Sequence, residues 1–101
     1  MRLDDFRGAI EDYSIALEMD PESDDLYRDR GVAKAYLEDY RGALADFNKA
    51  IELNPNLPIH YINRGAAKLE LGQKDSGCLD FSKAGELGLS TAYDLIREMC
   101  D

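Results

Sequence analysis

Asp12, Asp46 and Asp80 recur at intervals of 34 residues, and Arg30 and Arg64 recur with the same spacing. A guanidinium beside a carboxylate makes paired, charge-assisted hydrogen bonds, and a partly buried arginine requires such a partner. The expected chemistry is therefore a ladder in which Arg30 and Arg64 bind these aspartates across helices; the alternative is solvated pairs of little worth. Residue types suited to catalysis are sparse. The chain has no Gly-rich phosphate loop, no paired His ligands and no nucleophile elbow. His60, the one histidine, lies beside Pro58 and Ile59 in the first turn of a helix and is expected at the surface with no ligand or base role. The acidic pairs Asp4-Asp5 and Asp24-Asp25 fall at helix starts, where they favour the positive end of the helix dipole. An enzyme is not expected, and neither a cofactor nor a metal site is indicated.

What positions these residues is a repeat. Shifting the 101-residue chain by 34 places Asp5 on Asp39, Gly8 on Gly42, Ala9 on Ala43, Tyr13 on Phe47, Ala16 on Ala50 and Pro21 on Pro55. The same shift places Tyr27 on Tyr61, Arg30 on Arg64, Gly31 on Gly65, Phe47 on Phe81 and Ala50 on Ala84. Within a unit, Tyr40, Ala43, Leu44, Phe47, Ala50 and Ile51 return at three and four, which is one face of a helix. The segment Leu26 to Leu37 is helical in the same way, so each unit is two helices. Breaks at Glu38-Asp39 and Asn54-Pro55-Asn56 leave room only for tight turns, and consecutive helices must be antiparallel neighbours. Gly31, Ala43 and Ala50, and then Gly65, Gly77 and Ala84, are expected at the helix crossings, with Tyr27, Tyr40, Phe47, Tyr61 and Phe81 filling the space beside them.

The bulk properties agree with a small helical domain. Hydrophobic residues make up 45% of the chain, enough for a packed core. With 21 acidic residues against 12 Lys plus Arg, the net charge is -9, which disfavours nucleic acid, anionic membranes and an RNA-binding helical repeat. Apolar runs are short and broken by charges, so no membrane span is expected, and MRLDDFRGAIED has no secretory order.

Cys78 lies early in one helix and Cys100 at the end of the next, with Gly88-Leu89 midway. In an antiparallel hairpin the two sulfurs come level, which allows a disulfide; two buried thiols are the alternative. A bridge would imply an exported or periplasmic protein, free thiols a cytoplasmic one.

The period, with Tyr27, Gly31, Tyr40, Ala43, Phe47, Ala50 and Pro55 at their spacings, resembles the tetratricopeptide repeat. The resemblance implies an all-α solenoid of antiparallel helix pairs. It would comprise the second helix of a truncated unit (1–22), a complete unit (23–56), a divergent last unit (57–89) and a capping helix (90–101). Residues 1–3 would match only the final turn of a missing helix. The chain is then a piece of a longer array, or a partner covers the open face of 5–20.

The ending GCLDFSKAGELGLSTAYDLIREMC resembles the C-terminal unit and cap of bacterial members of the family, particularly those of Bacteroidetes, many of them exported. Ser90 is expected as the N-cap of the last helix and Ala92, Leu95, Ile96 and Met99 as its inner face. The polar back of that helix is expected to mark the natural end of the array.

In this family the first helix of each unit lines a concave, partner-binding side. The resemblance therefore implies a groove of Asp25, Arg28, Val32, Ala35 and Tyr36 from one unit. The next unit would add Ile59, Ile62, Ala66, Leu69 and Glu70. Such a strip suits an extended or helical apolar segment of a protein partner. The carboxylate clamp of some members is not expected, because Val32 and Ala66 replace polar groups and Arg28 is the strip's only cation. The function implied is a non-catalytic protein–protein interaction scaffold. The alternative is an oligomerisation element, a homodimer formed through the open face of 5–20.

Overall fold

The computed structural model describes residues 2–100 as six helices. They are α1 (Leu3–Met19), α2 (Asp24–Tyr36), α3 (Tyr40–Leu53), α4 (Pro58–Glu70), α5 (Lys74–Glu86) and α6 (Thr91–Met99). Each helix packs on its neighbours in sequence, and α2 also touches α4, the arrangement of an all-α solenoid.

Local signals fix the boundaries. The Ser23 side chain accepts the Leu26 N–H at 3.2 Å and the Asp39 carboxylate accepts the Gly42 N–H at 3.0 Å, capping α2 and α3. Pro58 opens α4, where its missing N–H is of no consequence. After α2 and α4 the chain reverses through a left-handed residue, Glu38 in one case and Gly72 in the other. Asp39 and Gln73 then donate their N–H back to Lys34 and Lys68, closing the same turn twice. Glu38 thus occupies a conformation that glycine adopts at less cost.

Small residues lie at the crossings. A Cβ on Gly31 would stand 2.6 Å from the Phe47 ring, and one on Gly65 would stand 2.8 Å from both the Phe81 ring and the Gly77 carbonyl oxygen. Ala43, Phe47 and Ala67 form one buried cluster, against which Val32 and Ala35 pack. Tyr61, Ala84 and Ala92 form a second, joined by Ile51, Ile62 and Leu87.

The charged ladder has two rungs. Arg30 donates from Nε and Nη2 to the two carboxylate oxygens of Asp46 at 2.9 and 2.8 Å, and Lys34 Nζ approaches the same group at 3.1 Å. Arg64 repeats this on Asp80 at 2.9 and 2.8 Å, with Lys68 at 3.0 Å. The third donor of each arginine reaches back one unit, Arg30 to Ser14 Oγ at 3.2 Å and Arg64 to Asn48 Oδ1 at 3.1 Å. Each arginine therefore ties three helices together while its guanidinium lies over Tyr27 or Tyr61. The hydrogen bonds that Asp46 and Asp80 accept raise both guanidinium pKa values against partial desolvation.

Four expectations are corrected. Asp12 is exposed and reached by no arginine of the described residues, because α1 has no arginine-bearing helix on that side. Leu3 opens α1 rather than ending a preceding helix, and Met1 lies outside the described residues. Ser90 precedes α6, but its side chain makes no cap; its backbone is already helical, and its carbonyl accepts the Tyr93 N–H instead. Met99 remains 47% exposed, and Tyr93, 48% exposed, lays one side of its ring over Gly85.

Candidate functional site: a groove between the second and fourth helices

The small residues that bring α2 and α4 against α3 leave an open groove of about 350 Å³. Val32, Ala35 and Tyr36 of α2 line one wall, and Asn63, Ala66 and Glu70 of α4 the other. Tyr40, Phe47 and Ala67 complete it. Phe6 stacks on Tyr36 with ring centroids 4.6 Å apart, fixing that wall from α1 although Tyr36 is itself exposed. Glu70 is the only charged lining residue. Partial desolvation, then Glu70 and Glu38, hold the Tyr40 phenol above the usual tyrosine range. Among the described residues the groove lining is thus mostly apolar, with two tyrosine hydroxyls, an amide and one carboxylate, and no cation.

Of the expected strip, Val32, Ala35, Tyr36, Ala66 and Glu70 come together. Arg28 lies outside, held by Asp25 at 3.1 Å and Asp29 at 3.4 Å. Ile62 packs against the Tyr61, Ala84 and Ala92 cluster, and Leu69 lies against Gly77, so both are half-buried and outside the groove lining. Ile59 is exposed at the start of α4 and is not among the groove-lining residues. Tyr40 and Asn63 complete the site. Asn63 precedes the arginine at Arg64, and its place on the inner stripe, three before Ala66, was its only signal.

His60 overturns its expected exposure. It is completely buried, and its Nε2 lies 2.8 Å from Asp24 Oδ2, which also accepts from Asn54 Nδ2 at 3.2 Å. The start of α4 packs beside the start of α2, and that contact, invisible to helical periodicity, encloses the ring. A carboxylate acceptor requires the hydrogen on Nε2, and His60 Nδ1 has no partner.

The His60 hydrogen bond, helped by Asn54 and opposed by desolvation, lowers the Asp24 pKa below 3.8. The folded state therefore binds this proton less readily than the unfolded chain. The stability involved is complete above the unfolded value and is lost as pH falls through the lowered one. Urea titrations of the wild type and Asp24→Asn should diverge above about pH 4 and converge below it. Curves that stay parallel across that range would remove Asp24 from the acid response.

Among the described residues no group of three His, Cys, Asp or Glu is placed to hold a metal. No described helix is long and apolar enough to cross a membrane.

This architecture is similar to that of solved tetratricopeptide-repeat domains. Residues 25–57 match the family model for the tetratricopeptide repeat, and the structural likenesses support membership of that family. The first repeat domain of Spaghetti (RPAP3), solved with the HSP90 peptide SRMEEVD, is similar at 26% identity and a TM-score of 0.89, over 96% of this chain and 79% of that one. The first repeat domain of human RPAP3 is 27% identical with a TM-score of 0.88, covering 94% and 76%. The second-B domain of yeast Sti1, solved in a pHsp70 complex, is 28% identical with a TM-score of 0.82, covering 95% and 78%. No curated protein matches by sequence.

Proposed function

We propose that the chain is a non-catalytic protein–protein interaction scaffold that binds a partner segment in the groove between α2 and α4. The observation that carries this is the open, mostly apolar lining with Glu70 as its single charge. The similar structures with HSP90 and pHsp70 peptides support a peptide as the occupant. The side chains here favour a different peptide from the acidic SRMEEVD. Glu70 and a net charge of -9 select an apolar segment carrying Lys or Arg. A bacterial, exported source rests on the C-terminal resemblance alone, and the Cys78–Cys100 disulfide supports an oxidising compartment. Homodimerisation through α1 has only the exposure of that face in its favour.

Panning a random peptide library against the chain should enrich apolar sequences with a basic residue. Ala66→Arg, at an exposed position, brings bulk and a repelling charge and should weaken the enriched peptides by about tenfold or more with helicity unchanged. Equal binding by that variant, or enrichment of acidic peptides, would contradict the proposal.

A further inference from the structure

The same four repeat positions, small, Asp, aromatic and Ala, occur three times and are covered twice. Ala43, Asp46, Phe47 and Ala50 of α3 are buried beneath α2, and Gly77, Asp80, Phe81 and Ala84 of α5 are buried beneath α4. Their counterparts on α1, namely Ala9, Asp12, Tyr13 and Ala16, are half-buried or exposed. Both covering helices bring the same groups. An arginine clamps the aspartate, the glycine after it admits the aromatic ring, and a lysine four residues beyond the arginine meets the same carboxylate.

We propose that this face of α1 docks a partner helix carrying the pattern Tyr-x-x-Arg-Gly-x-x-Lys, with its arginine on Asp12 and its glycine over Tyr13. Charge complementarity argues for this occupant. Asp12 is the one ladder aspartate that no cation of the described residues reaches. A purely apolar helix would strand that carboxylate against its own surface. A glycine after the arginine is needed because a Cβ at Gly31 or Gly65 would collide with the aromatic ring below it. The face is distinct from the α2–α4 groove, so either can fail without the other.

The probe is a fluorescent peptide, LPIHYINRGAAKLELG, which is residues 57–72 of this chain, held helical by a lactam bridge on the side away from its arginine. Titrated against the full chain, it should bind saturably. Binding should weaken by about tenfold on Asp12→Ala in the chain and by a similar factor when the peptide arginine becomes alanine. The two changes together should cost little more than either alone. Absence of binding, or binding indifferent to Asp12→Ala, would overturn the proposal. So would a stable dimer of the chain that shields Asp12 and Tyr13, since a second copy would then be the occupant.

Discussion

Asp46→Ala is expected to destabilise the chain by about 3–5 kcal/mol, as removal of one partner from a buried ion pair does. Asp46 is 3% exposed and receives both Arg30 and Lys34, so the alanine variant leaves two cations facing each other without a carboxylate. A loss of that size is a large share of the roughly 5–15 kcal/mol available to a small domain. The contrast with Asp12→Ala decides the matter. Asp12 has the same place in the repeat but is exposed and unpaired, and its loss should change stability by less than about 0.5 kcal/mol. Urea midpoints at neutral pH test both. Equal effects would mean that repeat position rather than the buried pair sets the cost.

Cutting the Cys78–Cys100 disulfide is the other large effect. The bridge spans 22 residues, and closing a loop of that length stabilises by about 3 kcal/mol, mainly by restricting the unfolded chain. The helix it holds is short, yet its Ala92 seals Tyr61 and Ala84 and its Tyr93 covers Gly85. Reduction, or Cys100→Ser, should lower the thermal midpoint by about 10 °C or more. Amide exchange should accelerate first across Thr91–Met99, before α2 and α3. An unchanged midpoint with unchanged protection would show that α6 is held by packing alone.

The repeat made much of this legible. Its spacing of aromatic and small residues fixes which faces meet, and so α2 through α5, the crossings at Gly31 and Gly65, and both arginine pairs follow from residue type and interval. Contacts outside the period were not legible. His60 is enclosed because two helix starts converge around Asp24 and Asn54, which are 36 and 6 residues away in sequence. The groove strip was half visible for a related reason. Helical periodicity identifies a stripe, but α5 and α6 claim Leu69 and Ile62 from it, while Tyr40 enters from the following helix.

The groove reading is tested most directly by amide chemical-shift mapping of the chain with a library-selected peptide. Shifts should gather at Val32, Tyr36, Tyr40, Asn63, Ala66 and Glu70 and vanish for the Ala66→Arg variant. Shifts gathered instead on α1, or on α5 and α6, would place partner binding elsewhere and contradict the proposed function.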